Sequence, residues 1–331
     1  MKILLIGGSG MISSSIARIG VERGYEITVL NRGYHKEYVP DGCTVISGDA
    51  NDPEISKKLE GMHFDVITDF VAYTPAQLAA HMDAFYPHCE QYIFISSATV
   101  YSRTDQKTPI REDVTPITNV DWDYAREKIG CEKYLEMRKI MDPELCYTIL
   151  RPYVTYGDTR IPFPLAPYRR WTIAKRIIEG KPILLPNTKN TGTITHADDF
   201  AAAFFGLCKN EKAYGEAFHI TSTDIHPWTD VAEIIGEYFG VETKFAFRSV
   251  EDIARGLYPQ YPDTYGLLKA DKATSWSFDN SKLLSVVPEF SPSVSLRDGL
   301  YRMLDTVVAH EDFLIDEKWD ELCDAIIKGR T

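Results

Sequence analysis

The sequence predicts an α/β protein built on a doubly wound parallel sheet, with a smaller C-terminal α/β unit. Three observations carry this. Short β-rich runs alternate with stretches of helical spacing through the first half of the chain. Several runs are apolar throughout, as expected of strands with both faces covered by helices. A glycine-rich turn joins the first strand directly to the first helix. Repeated strand–helix units imply parallel pairing and right-handed crossovers.

In chain order, the pattern predicts strands at 2–6, 26–30, 44–46, 65–68, 92–96 and 147–150. Helices are predicted at 11–23, 75–86 and 122–140. After Tyr156 the texture changes, and 157–167 is rich in Pro and Gly and reads as a loop. A basic helix is expected near 168–179, then a short apolar run at 183–185 and a polar turn at 187–192. Residues 198–208 read as helix, 217–221 as one further strand, and 228–239 as helix. The stretch 248–276 is irregular and aromatic, and 295–328 is helical and largely amphipathic.

Composition narrows the partners. Acidic residues outnumber basic ones, 48 to 36, giving a formal charge of −12. Such a chain repels phosphate backbones unless its bases are concentrated, and no run of four Lys or Arg occurs. Nucleic acid is therefore not a favoured partner. The six cysteines, at 43, 89, 131, 146, 208 and 323, form no C-x-x-C pair, so zinc and thiol-redox spacings are absent. They read as small buried hydrophobes of a reducing compartment. No segment is long and apolar enough for a membrane span, and the first apolar run is too short for a signal core. A cytoplasmic location is expected.

The glycine turn reads Gly7-Gly8-Ser9-Gly10-Met11-Ile12-Ser13. Glycine lets the backbone turn tightly and approach a pyrophosphate, and the helix N-terminus then offers N–H groups and partial positive charge. Strand before and helix after are the context a dinucleotide-binding Rossmann fold requires. Ser13 stands where a third glycine usually sits, so slightly loosened helix–strand packing is expected. The second strand ends Leu30-Asn31-Arg32-Gly33. Asn31 is neutral and Arg32 can pair with a 2′-phosphate, which leans the cofactor NAD(P) toward NADP. A solvated loop charge is the alternative for Arg32. Asp49, followed by Ala50, is placed to accept from an adenine amino group.

Chemistry is expected from three side chains. Ser96-Ser97-Ala98-Thr99-Val100-Tyr101 follows the fifth strand, and Tyr124 and Lys128 lie four apart on one helix face. An adjacent ammonium favours the phenolate and lowers a tyrosine pKa from its usual value of about 10. Ser97 can donate to the same substrate oxygen. Tyr265 and Lys269 share the spacing, but no serine-ended strand precedes them at a suitable distance, so that pair reads as structural.

Together these residues resemble the extended short-chain dehydrogenase/reductases, the NAD-dependent epimerase/dehydratase group. The likeness includes the glycine turn, Asp49, Phe94 through Tyr101, Tyr124 with Lys128, and Leu150-Arg151-Pro152 with Tyr156-Gly157. Ile194-Thr195-His196-Ala197-Asp198-Asp199 and Phe278-Asp279-Asn280-Ser281-Lys282 extend it over most of the chain. The resemblance implies a seven-stranded Rossmann sheet and a smaller C-terminal substrate domain. It divides the chain into 1–156 plus about 193–222 for the cofactor, and about 157–192 plus 223–331 for the substrate. Tyr124 would move the proton, Lys128 would hold the nicotinamide ribose, and Ser97 would bind the substrate oxygen. Expected cofactor contacts are Gly7, Gly10, Met11, Ile12, Asn31, Arg32, Asp49, Ala50, Phe70, Val71, Ala72, Tyr124, Lys128, Pro152 and Val154. The implied activity is NAD(P)-dependent oxidoreduction or epimerisation at a sugar or nucleotide-sugar hydroxyl or carbonyl. Many relatives of this kind dimerise through paired helices of the first domain, here 75–86 and 122–140, so a homodimer is expected.

Departures limit this reading. Gly192-Thr193 stands where many sugar-nucleotide binders carry an arginine for the diphosphate. Arg169, Arg170 and Lys175 lie nearby in sequence and either compensate for it or are surface helix charges, the second being the preferred reading. Ala98-Thr99 replaces the Asp-Glu pair that resembling dehydratases use, which disfavours elimination. Asn31-Arg32-Gly33, and Tyr168-Arg169-Arg170-Trp171 leading to Gly180-Lys181-Pro182, are similar to the chloroplast stem-loop RNA-binding proteins, atypical members of the same superfamily. Two alternatives therefore stand: an NADPH-dependent reductase of a small non-nucleotide carbonyl, or a non-catalytic dinucleotide-sensing RNA-binding protein. His196 reads as part of a helix start and His219 as a core residue. His35, His63, His81, His88 and His226 show no metal spacing, and no metal site is expected. Tyr168, Trp171, Tyr258, Tyr261 and Tyr265 are candidates for a sugar site, the core or a dimer face.

Overall fold

The computed structural model describes residues 1–33, 39–102, 108–165, 167, 169–311 and 313–329. His35 and Tyr168 lie outside the described residues. In the first half the order is β1 (Lys2–Ile6), α1 (Met11–Glu22), β2 (Glu26–Asn31), β3 (Thr44–Ser47), β4 (Phe64–Asp69), α2 (Pro75–Phe85), β5 (Cys89–Ile95), α3 (Asp123–Met141) and β6 (Tyr147–Pro152). There follow β7 (Val154–Tyr156), α4 (Trp171–Ile178), β8 (Ile183–Pro186), β9 (Thr191–His196), α5 (Ala197–Leu207) and β10 (Glu216–Ile220). The chain ends with β11 (Ile225–Pro227), α6 (Trp228–Phe239), β12 (Phe245–Arg248), α7 (Val250–Leu257), α8 (Thr264–Leu267), α9 (Ser281–Val286), α10 (Leu296–Ala309) and α11 (Glu317–Ile327).

The main sheet has seven parallel strands in the order β10-β6-β5-β4-β1-β2-β3. Its apolar strands are explained by their two covered faces. In β1, Ile3 and Leu5 join the core shared with α1 and α5, while Leu4 and Ile6 join the core shared with α2 and α3. Edge strand β3 is covered less, and Val45 is 46% exposed. α2 starts where its sequence dictates: Pro75 fixes the first turn and the Thr74 hydroxyl accepts from Gln77 N at 3.2 Å. The strand order reverses between β1 and β4, so the crevice beyond their carboxyl ends is the topological switch point. β10 completes the sheet after the chain has left for β7–β9.

A separate core forms from α4, α6, α7, α10 and α11, centred on Ile173, Trp228, Leu300 and Trp319. Three expectations change here. The turn expected at 187–192 gives way at Thr191 to β9, which pairs with β11 and β7. The stretch 248–276, expected to be irregular, contains α7, α8 and a π-helical turn at Leu268–Lys272. α7 is only eight residues long, capped by Ser249 and buried through Ile253 and Leu257, so its periodicity is too brief to stand out. The helical tail is two helices, each opened by its own cap: Ser295 for α10 and Asp316 for α11.

Arg176 of α4 is fully buried. Its guanidinium donates to Pro182 O at 2.8 Å, to Asp320, and to Asp324 at 2.9 Å. It ties α11 to the turn after α4. Arg176→Met should lower unfolding free energy by about 2–3 kcal/mol, read from the urea midpoint, because charged acceptors lose their donor.

Candidate functional site

The turn after β1 is shaped by contact rather than by freedom alone. Gly7 has φ +83°, and a Cβ there would lie 2.4 Å from Val71 Cγ1. Ser13 is fully buried; its hydroxyl accepts from Gly10 N at 2.9 Å and donates to Gly7 O at 2.9 Å. The hydroxyl pins the turn that a third glycine would leave to backbone alone. α1 then opens at Met11, and its first-turn amides have no acceptors within the helix.

Two cavities flank the turn. One, about 550 Å³, is lined by Asn31, Arg32, Asp49 and Ala50 at the carboxyl ends of β2 and β3. The other, about 430 Å³, is lined by Met11, Ile12, Phe70, Ser97, Tyr124, Lys128, Pro152 and Val154. Gly7, Gly10, Val71 and Tyr73 line both, so the groove runs continuously across the glycine turn. Ala72 alone of the expected contacts does not line it; it is fully buried behind the wall. Asn31 Oδ1 accepts from Gly33 N at 2.9 Å, and its buried Nδ2 has no hydrogen-bond partner among the described residues. The Asp49 carboxylate accepts from Asn51 N at 2.9 Å, which holds its pKa below the usual aspartate value.

Ser97, Tyr124 and Lys128 face the same cavity from different elements. Ser97 ends the β5 loop, its Oγ accepting from Thr99 N at 3.2 Å and Thr99 Oγ1 at 2.9 Å. Lys128 is 2% exposed; its ammonium donates to Ala72 O and Ile95 O, each at 2.8 Å. Desolvation pulls its pKa down to about 8. Burial pushes the Tyr124 phenol up to about 12, against a hydrogen bond with Ser97 that pulls it down. Desolvation of the phenol is the largest cause of that shift, and Lys128 is not among its causes.

Beneath the cavity lie polar groups that sequence reasoning missed. Asp69, at the end of β4, is fully buried and accepts four hydrogen bonds: His81 Nδ1 and Tyr92 OH at 2.7 Å, Val71 N at 2.9 Å and Ala72 N at 3.0 Å. It fixes the loop that carries Phe70, Val71 and Ala72. Burial opposes its charge, but the bonds from His81 and Tyr92 prevail and its pKa is lowered. Glu132 accepts from Ser96 Oγ and takes a two-pronged bond from Arg151, at 3.0 and 2.7 Å. Its position eight residues after Tyr124, on the same helix face, was the available signal.

Arg170, expected as a surface helix charge, lines the cavity with Arg160 and Lys272; Lys175 does pair on the surface with Glu179. Of the aromatics considered for the pocket, none of Trp171, Tyr258, Tyr261 and Tyr265 lines this cavity; Tyr73 and Tyr153 do. Tyr265 and Lys269 bond each other at 3.1 Å on the surface. His219 is a core residue: its ring bonds Asp279 O at 2.9 Å and Tyr101 OH at 3.2 Å, and burial lowers its pKa to about 4. His196 caps α5, accepting from Asp198 N at 3.1 Å. Among the described residues no group of three His, Cys, Asp or Glu could hold a metal, and no helix is long and apolar enough to cross a membrane.

Residues 75–221 match the sequence model of the NAD dependent epimerase/dehydratase family. The chain is 28% identical over 236 residues to the chloroplast stem-loop binding protein of 41 kDa b of Arabidopsis thaliana, covering 66% of this chain and 58% of that protein. It is 21% identical to the 2′-dehydrokanamycin reductase of Streptomyces kanamyceticus, covering 76% of this chain and 72% of that one. The fold superposes on the UDP-glucose 4-epimerase of Bifidobacterium longum, solved with NAD+ and UDP, with TM-score 0.76 at 16% identity, covering 95% and 100% of the two chains. The seven-stranded sheet, its switch-point groove and the glycine turn define a Rossmann-type fold. The family match covers 147 of the 331 residues, from α2 through β10.

The Asp69 cluster is open to measurement. Asp69→Asn should destabilise the fold by about 3 kcal/mol at pH 7, since a buried charged partner is removed. A carboxylate with a depressed pKa contributes stability above its unfolded value, near pH 4, and loses it as pH falls through the folded value. The gap between wild type and variant should therefore narrow below about pH 4 in urea titrations.

Proposed function

We propose that the chain is an NAD(P)-dependent enzyme that oxidises, reduces or epimerises a sugar or nucleotide-sugar at a hydroxyl or carbonyl, with Tyr124 as the acid/base. One observation carries the reading: Ser97, Tyr124 and Lys128 line the cavity that continues across the glycine turn into the second cavity. When bound, the dinucleotide supplies the donor or acceptor of hydride. Gly7, Gly10, Met11 and Ile12 would hold its diphosphate with backbone N–H groups. Asn31, Arg32, Asp49 and Ala50 would hold the adenosine end. Phe70, Val71, Pro152 and Val154 would wall the nicotinamide end, with Ala72 acting through its carbonyl on Lys128. Residues 1–156 with about 193–222 serve the cofactor in this reading, and the rest serves the substrate.

Tyr124 moves a proton to or from the substrate oxygen, and Ser97 donates a hydrogen bond to that oxygen as charge develops. Lys128 fixes the loops after β4 and β5 through Ala72 O and Ile95 O, and would hold the nicotinamide ribose. A phenol held near 12 stays protonated at neutral pH, the state needed for carbonyl reduction. Likeness to a reductase supports single reduction of a small carbonyl as the second reading. The neutral Asn31 and the cationic Arg32 at the adenosine end support NADP over NAD. RNA binding, raised by likeness to the chloroplast protein, is opposed by a charge of −12. A cytoplasmic homodimer formed through α2 and α3 completes the reading. Ile140 of α3 is 82% exposed and Met141 76%, apolar surface that such pairing would cover.

The test follows nicotinamide absorbance with NADH or NADPH against a panel of sugars and nucleotide-sugars. Tyr124→Phe should lower turnover by about 10²–10⁴-fold while leaving the dinucleotide dissociation constant near the wild-type value. Unchanged turnover sinks the assignment, and salt-sensitive RNA binding indifferent to the same substitution would favour the RNA reading. Arg32→Ser should weaken NADPH by roughly tenfold and leave NADH unaffected, measured by nicotinamide fluorescence.

A further inference from the structure

The cavity that holds Tyr124 has a charge opposite to that of the chain. Lys128, Arg160, Arg170 and Lys272 line it, and no Asp or Glu does, although the whole molecule carries −12. Two of these cations are already engaged: Lys128 with two carbonyls, and Lys272 with Asp271 at 2.5 Å. The arginines differ. Among the described residues neither forms an ion pair with a carboxylate. Arg170 donates to Ile161 O at 3.2 Å, which leaves most of its five N–H donors uncommitted. Arg160 lines the cavity with Tyr73 and Tyr124 and is close enough to Arg170 to repel it. Crowding by protein and that repulsion pull Arg170 down to about 9. Two like charges facing one cleft favour an anion placed between them.

The Tyr153 side of the cavity carries Lys272, whose ammonium lies 4.5 Å from the Tyr153 ring centroid and is paired with Asp271. Gly192 of β9 lies behind the Tyr153 ring, where a Cβ would sit 3.2 Å from Tyr153 Cε1, and Tyr153 itself lines the cavity. The volume, about 430 Å³, is near the small end of ligand pockets and includes the nicotinamide end of the groove.

We infer that the substrate is a compact anion, a sugar phosphate or sugar acid, whose charged group sits between Arg160 and Arg170 while its reacting carbon faces Tyr124. This rests on the hydride-transfer reading for the reacting end; the anion site stands on the arginines alone.

Calorimetric titration of the full chain, with and without saturating NADPH, distinguishes the two. The probes are inorganic phosphate, glucose 6-phosphate, glucuronate, glucose and UDP-glucose. At least one of the first three should bind about tenfold or more tightly than glucose, and Arg160→Gln or Arg170→Gln should remove that advantage. Phosphate and glucose 6-phosphate binding better than glucuronate identifies a phosphate substrate, and the reverse order a sugar acid. The proposal is overturned if no anion outbinds glucose, or if both substitutions leave anion affinity unchanged. It is overturned too if UDP-glucose binds tightest and ignores both changes, or if the substitutions abolish NADPH binding, which would assign the arginines to the cofactor. Arginine-dependent anion binding in a chain that takes up no dinucleotide would leave this site standing and remove the hydride reading.

Discussion

Everything in the groove depends on how closely two loops approach at the switch point. The turn after β1 and the loop after β4 meet at Gly7 and Val71, with no room for a side chain on the glycine. That contact puts the amides of α1 beside the walls that receive Tyr124 and Lys128. It survives because each loop is pinned from behind by a buried polar group, Ser13 for the first and Asp69 for the second. Backbone in such a loop is polar and unsatisfied by the sheet, so a buried acceptor placed at the strand end supplies what a hydrogen-bond ladder cannot.

Burial then sets the electrostatic state of the site. It acts on Tyr124 and Lys128 in opposite directions on the pKa scale but toward the same end, the neutral form. The two residues share a helix face, yet each spends its polar atom on a different neighbour. The pair is therefore better described as two desolvated groups poised near a groove than as an ion pair. The arginines deeper in the cavity meet the same pressure without carboxylate partners. The site gathers positive charge in a molecule that is strongly acidic elsewhere.

What could be read from the sequence was local. The glycine turn, the β1 pattern and the Tyr124–Lys128 spacing each lie within one or two consecutive elements, and periodicity or turn chemistry reveals them. Asp69 with His81, Ser96 with Glu132, and Glu132 with Arg151 are contacts between elements, and no spacing rule announces them. Arg170 was misread for the same reason, since a basic residue beside a basic helix looks solvated until the cavity wall is seen. Ser13 shows a different limit. The sequence displayed a missing glycine, but not that a hydroxyl at the same point would bond to both flanking glycines. In the C-terminal unit, short helices such as α7 carried too few turns to show a period, and caps at Ser295 and Asp316 split a tail that composition presents as one.

The placement of β10 reaches beyond the site. This strand occupies the edge beside β6, yet it is made only after the ribosome has released β7 through α5. Until then the emerging protein carries β6 with one row of backbone donors and acceptors unpaired, a template for unwanted association. A fragment cut at Tyr156 would keep that raw margin permanently. The two halves of the polypeptide thus mature as one interleaved unit, and the groove is finished by residues synthesised after the first part of its neighbour.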